Sequence, residues 1–404
     1  MINGSHSSAR GLTPPLYLSL ILAANSSLIT IHRASKITTL DMFGISAPVR
    51  SIAITSDDIL AASVGKQSLK VWNVEGRSCI RSIQLSHYAL CCKFLRNNTH
   101  LVVGTKEGIL LCIDFASGEV TEEQGHEGAI WSLDVHESEE GPIVVTGGAD
   151  SDVKFWMVER GDDNSSDDSD SSDDSNSSDD SEKNSNSNKL QLIHTRTLKM
   201  SDDVLSVKFS YSLEADKLLV FVASLDSTVK VFFHDTLKFF LSLYGHKLPV
   251  MALDCTDDDN KLISGGADKT IKIWGLDFGD CHRSLYGHED SITSIVCVKK
   301  SHNFFSASKD KTVRYWDSDK FEQILLMGGH VAEIYSLSLS KSGGYLLSGG
   351  MDRSIRVWER TREVSRDRKE DKRSQPFLLS DHHVNGAQIL NRRWSSSRRR
   401  KRRL

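Results

Sequence analysis

The chain has 404 residues, 39% of them apolar and 26% charged, with a formal net charge of −4. That profile belongs to a soluble globular protein and excludes collagen-like or transmembrane-helical architectures; it also lacks the bulk positive charge of a nucleic-acid binder. Seven cysteines, at 79, 91, 92, 112, 255, 281 and 297, contain no pair at metal-ligand spacing, so they predict free thiols in a reducing compartment rather than a metal site or a disulfide framework.

Residues 1–17 are expected to be disordered. Leu16 to Ala24 is apolar but only nine residues long, too short to cross a bilayer. It aligns better with the second strand of the repeats described below than with a signal-peptide core. Residues 18–35 thus predict a surplus strand pair, the remnant of a preceding blade, and Ile37 to Phe43 predicts an outer strand without its own inner strands.

Four later segments share one set of residues. They run from Gly125-His126 to Asp150 and Trp156, from Gly245-His246 to Asp268 and Trp274, from Gly287-His288 to Asp310 and Trp316, and from Gly329-His330 to Asp352 and Trp358. In register with these tryptophans stand His32, Trp72, Cys112 and Phe232, giving spacings of 40, 40, 44, 76, 42, 42 and 42 residues. A period near 42 that opens on Gly-His and closes on Trp marks a WD-repeat β-propeller of four-stranded blades. Within one repeat, Val250 to Cys255, Lys261 to Ser264, Thr270 to Trp274 and Cys281 to Leu285 alternate at the strand period. Gly265-Gly266-Ala267-Asp268 is expected to be a tight turn in which glycine supplies positive φ. The strand inventory predicts an all-β, seven-bladed propeller over 36–358, closed where the 37–43 strand joins the last inner strands and pairs the free edge.

The 76-residue interval contains an acidic insert at 162–189, with ten acids against two lysines. It has too little apolar content to order itself and is predicted to be a disordered loop. Ser165, Ser171 and Ser177 each precede an Asp by three residues, a phosphoacceptor pattern for acid-directed kinases. Residues 359–404, with fifteen Lys or Arg against six acids, are predicted to be a disordered basic tail. Its run Arg398, Arg399, Arg400, Lys401, Arg402 and Arg403 is a candidate nuclear-import signal or RNA-contacting arm.

Each strong repeat also contains hydrolase residue types: His126, Thr146 and Asp150; His246, Ser264 and Asp268; His288, Ser306 and Asp310; His330, Ser348 and Asp352. Four copies in repeat register argue for structural networks closed by Trp156, Trp274, Trp316 and Trp358, not for catalysis. The Gly-rich turns join strand to strand and open no helix, so no phosphate loop or cofactor site is expected.

The run from Ile273 to His282, then Leu285-Tyr-Gly-His288, Ser301 to Asp310, Arg314 to Asp317 and Leu243 to Val250, resembles the WD repeat-containing protein three family. The resemblance covers about residues 18–358. It implies a non-catalytic scaffold subunit of the nucleolar small-subunit processome, with other WD-repeat subunits, small nucleolar RNA and precursor ribosomal RNA as partners, and no membrane or small-molecule substrate. The family has tandem propellers and a helical C-terminal domain, so this sequence is expected to be truncated at both ends. A WD-repeat substrate adaptor of a ubiquitin ligase or chromatin complex is the alternative.

Overall fold

The computed structural model describes residues 37–39, 45, 47–138, 141–160, 190–212, 217–256, 258 and 260–360. Residues 1–17, the 18–35 strand pair, residues 40–43 of the expected outer strand, the whole acidic insert at 162–189 with Ser165, Ser171 and Ser177, and residues 361–404 of the tail with Arg398 to Arg403 lie outside the described residues. All regular structure within them is β. In chain order the strands are β1 (Ile37–Thr39), β2 (Ser51–Ile54), β3 (Leu60–Asn73), β4 (Ser78–Phe94), β5 (His100–Thr105), β6 (Ile109–Asp114), β7 (Val120–Gln124), β8 (Ile130–Ser138) and β9 (Gly141–Gly148). There follow β10 (Asp152–Arg160), β11 (Leu190–Lys199), β12 (Val204–Ser212), β13 (Lys217–Ser224), β14 (Val229–Phe233), β15 (Phe239–Leu243), β16 (Val250–Cys255), β17 (Lys261–Gly266), β18 (Ile271–Gly275) and β19 (Cys281–Leu285). The last seven are β20 (Ile292–Cys297), β21 (Asn303–Ser308), β22 (Thr312–Asp317), β23 (Glu322–Gly328), β24 (Ile334–Leu339), β25 (Tyr345–Gly350) and β26 (Ile355–Glu359).

These strands pair antiparallel into a β-propeller of six hydrogen-bonded sheets, where seven separate blades were expected. Five sheets have four strands, and β2 to β7 form one sheet of six. The difference arises in β3 and β4, which are 14 and 17 residues long. Just outside the two ends of β3 the Val74 N–H donates to Ile59 O at 3.0 Å, and within it Lys66 has φ of 50°, a left-handed value that turns the chain. The N-terminal β1 completes the C-terminal sheet, Ile37 lying opposite Trp358 and Thr39 opposite Arg356.

Period-two alternation puts branched and aromatic side chains between neighbouring sheets, where burying each large one contributes roughly 1.5–3 kcal/mol. Trp72, Trp274, Phe155, Phe221 and Phe304 are fully buried there. The inner strands have unpaired edges, and side chains of the adjacent sheet satisfy them. Ser132 Oγ accepts Val207 N–H at 3.2 Å, Ser294 Oγ accepts Leu337 N–H at 3.1 Å, and Ser336 Oγ accepts Ile52 N–H at 3.1 Å, the last joining the final sheet to the first.

The expected role of the paired glycines needs correction. Neither Gly265 nor Gly266 has positive φ; that conformation falls on Lys269, as it does on Ser151, Lys311 and Arg353 after the corresponding aspartates. Gly266 is needed for space, since a Cβ there would lie 2.6 Å from Asp268 Oδ1 and 2.7 Å from His246 Nδ1.

Candidate functional site

The four repeat networks have one geometry. The histidine precedes the inner strand, the Ser or Thr lies on the second strand, the Asp on the turn beyond it and the Trp on the third strand. His288 Nδ1 lies 2.7 Å from Asp310 Oδ2 and its Nε2 lies 2.7 Å from Ser306 Oγ, which accepts Trp316 Nε1–H at 2.8 Å. His330, Asp352, Ser348 and Trp358 repeat it at 2.7, 2.7 and 2.8 Å. His246 stands 3.0 Å from Asp268 and 2.7 Å from Ser264, with Trp274 2.8 Å from that hydroxyl. His126 is 2.7 Å from Asp150 and 2.8 Å from Thr146, with Trp156 at 3.0 Å.

A neutral imidazole protonated at Nδ1 satisfies every member of the chain: it donates to the carboxylate and accepts the hydroxyl proton at Nε2. Each Asp also caps backbone donors, as Asp310 does for Glu289 and Thr312 N–H at 3.1 and 2.9 Å. Burial works against these carboxylates, yet hydrogen bonds to them win, led by that from the histidine. Asp268 and Asp310 lie well below the usual carboxylate range, and Asp352 is lowered to about 2. At His126 burial dominates and lowers the pKa, with Asp150 opposing.

The Asp-His-Ser connectivity matches that of a hydrolase triad, but a nucleophile must reach a substrate. Thr146, Ser264, Ser306 and Ser348 are each 0% exposed, and each oxygen already accepts a tryptophan N–H. Such a hydroxyl has no room for a carbonyl carbon. Among the described residues no cluster of His, Cys, Asp and Glu could hold a metal ion, and no helix is long and apolar enough to cross a membrane.

The repeat motif pointed away from a second constellation, at the central channel of about 680 Å³ bounded by the inner strands. Lys208 on β12 lies 3.6 Å from Asp134 on β8 and 3.3 Å from Asp254 on β16, while Lys93 on β4 is 3.6 Å from Asp134. Asp134 accepts Phe209 N–H at 3.1 Å and Asp254 accepts Cys297 N–H at 2.7 Å, so the charges also pin one sheet to the next. Burial works against ionisation of Lys208, but Asp134 and Asp254 prevail and raise its pKa. Desolvation likewise opposes the Asp134 carboxylate, and Lys208 and Lys93 lower its pKa. The legible signal was a single repeat column reading Lys93, Asp134, Lys208, Asp254 in consecutive inner strands.

A family model described as the WDR3 second beta-propeller domain matches residues 48–364. The chain is 41% identical over 219 residues to a WD repeat-containing protein 3 homolog of Dictyostelium discoideum, an alignment covering 54% of this chain and 20% of that protein. It is 43% identical over 221 residues to the U3 small nucleolar RNA-associated protein 12 of Saccharomyces cerevisiae, covering 54% and 21% of the two chains. With WD repeat-containing protein 3 of Homo sapiens it shares 42% identity over 233 residues, 57% of this chain and 22% of that protein. The chain thus spans about a fifth of the length of these relatives.

Proposed function

The chain belongs to the WDR3 second beta-propeller domain family, and on that premise we propose that it is a non-catalytic scaffold subunit of the nucleolar small-subunit processome. It acts in ribosomal RNA processing, holding other WD-repeat subunits and contacting small nucleolar and precursor ribosomal RNA. The observation that carries this reading is the 43% identity to a protein named for association with U3 small nucleolar RNA. The buried, tryptophan-occupied hydroxyls of the four networks support a structural rather than catalytic role for His126, His246, His288 and His330 and their partners.

A scaffold must present fixed surfaces, and the fold supports a closed seven-bladed disc over 36–358. In this reading the six-stranded sheet is two blades whose chain runs on without a break: β3 doubles back at Lys66, and β4 serves as the outer strand of one blade and the inner strand of the next. Pairing of β1 with β26 closes the ring. In the same reading Ser165, Ser171 and Ser177 of the insert between β10 and β11 are phosphoacceptors, and Arg398 to Arg403 supply nuclear import or a salt-sensitive grip on phosphates.

The test is affinity purification of the tagged 404-residue chain with identification of bound RNA and protein, alongside imaging. Nucleolar signal with U3 and precursor ribosomal RNA in the eluate is expected. Diffuse cytoplasmic signal without RNA at low salt, or recovery of a ubiquitin ligase instead, overturns it.

A further inference from the structure

One mouth of the channel has a composition that the repeat networks do not explain. Six inner strands carry a β-bulge, near the start of five of them and late in the long β4, where register shifts across residues 90, 131, 205, 251, 293 and 335. A bulge re-aims its extra side chain, and all six of these residues, with Arg50 at the corresponding place before β2, line the channel. Beside each bulge lies the turn between the second and third strands. Leu225 N–H bonds Asp203 O, Met351 N–H bonds Glu333 O and Lys309 N–H bonds Ser291 O, so the turn residue sits level with the bulge.

Together the two sets of positions form a collar with two distinct arcs. On one arc Trp131, Leu225 and Met251 are 41%, 42% and 38% exposed, and Leu205 lies half-buried between them. Scattered apolar residues are ordinary, but contiguous exposed ones mark interaction sites. On the other arc stand Arg50, Lys66, Lys106 and Lys309, and no bulge or turn position of the collar is acidic. Beside the basic arc the Glu107 carboxylate accepts Tyr88 N–H at 3.1 Å, and on the apolar arc Asp203 stands next to Leu225. Arg50 packs over the Tyr335 ring at 4.9 Å, and the Tyr335 hydroxyl lies 3.6 Å from Met351 Sδ, which joins the arcs.

We propose that this collar is a docking site for an acidic peptide segment with a bulky apolar anchor. The anchor seats against Trp131, Leu225 and Met251, and the carboxylates flanking it face Arg50, Lys66, Lys106 and Lys309. Aliphatic and thioether side chains around a concave mouth suit a peptide side chain, whereas single-stranded RNA calls for successive stacking aromatics on a basic track. The site names a partner class for the scaffold proposed above. It is testable on the isolated chain, so its failure and the failure of the processome reading are separable.

An array of nonapeptides with a central Leu, Met, Phe or Trp flanked by Glu, Ser or Lys is probed with the full 404-residue chain. The best binders are then measured by anisotropy, with Trp131 emission as a local reporter in a Trp394→Phe background, because Trp72, Trp156, Trp274, Trp316 and Trp358 are buried. Glu-flanked peptides are expected to bind at least tenfold more tightly than Lys-flanked ones and to blue-shift Trp131. The double variant Leu225→Asp, Met251→Asp should lose tenfold or more at unchanged melting temperature, and Lys66→Glu, Lys106→Glu should abolish the flank preference. Phe278→Asp, at a 90% exposed position on another turn, should bind as the parent does. No flank preference, no binding by any peptide, or parent-like binding by well-folded collar variants overturns the proposal; so does binding of a dodecauridylate that the same variants abolish while peptides fail.

Discussion

Asp310→Ala tests whether the repeat networks are worth what their geometry implies. The substitution orphans the Nδ1–H of His288, whose side chain is 0% exposed, at about 1–3 kcal/mol for a buried donor left unpaired. It also releases Glu289 N–H and the Thr312 N–H and hydroxyl; these are partly exposed and recover water, adding about 1 kcal/mol. The expected loss is therefore about 2–4 kcal/mol. With an unfolding entropy near 2.1 cal/mol/K per residue, a propeller of this size loses roughly 1.5 °C per kcal/mol, or about 3–6 °C in Tm. Differential scanning calorimetry of Asp310→Ala, His288→Ala and the double variant measures the coupling directly. Because both singles break one chain, the double should cost at least about 1 kcal/mol less than their sum. Strict additivity, or a Tm change below 1 °C, would refute the network as a coupled unit.

Acid should uncouple the corresponding chain of the last repeat, Asp352, His330, Ser348 and Trp358. Asp352 has a folded pKa of about 2, below its unfolded value near 3.9. The folded state thus binds fewer protons, and this stabilisation is complete above about pH 4 and lost as pH falls toward 2. The gap in urea midpoint between the parent and Asp352→Asn should narrow over that window; a gap that does not change with pH refutes the assignment. Lys208→Met leaves Asp134 and Asp254 without the cation between them and should cost about 3–5 kcal/mol in urea unfolding, partly restored by adding Asp254→Asn. A cost under 1 kcal/mol would mean that water screens the channel charges. A chain starting at residue 47 lacks β1 and exposes the edge of β26, so it should melt several degrees lower and less cooperatively than one starting at residue 35; equal melts exclude the closure. Arg160 and Leu190 are cross-strand partners, so replacing 162–188 with a short Gly-Ser turn should move Tm by less than 2 °C, loop length being a weak term. A larger fall shows that the segment contributes contacts.

The 42-residue period alone carried fold class, because each blade needs its own Gly-His opening, turn Asp and closing Trp, and local chemistry repeats wherever local structure does. Strand limits were legible for the same reason: Val250 to Cys255 and Cys281 to Leu285 fall on β16 and β19 as their alternation requires. The members of each network could be named from sequence, since all of them lie within one repeat. What the repeat could not contain, tertiary structure decided. The strand inventory anticipated that the 37–43 strand joins the last inner strands, but only the structure set its register, with Ile37 opposite Trp358. The column Lys93, Asp134, Lys208 and Asp254 can be read from the repeat register, but that these charges pair with one another follows only when four inner strands converge on one axis. Gly266 was assigned the wrong task because its crowding comes from Asp268, two residues on, once His246, 20 residues earlier, is folded against it. Sequence determines the unit by local periodicity; the ring, and every group facing its channel, exists only where distant units meet.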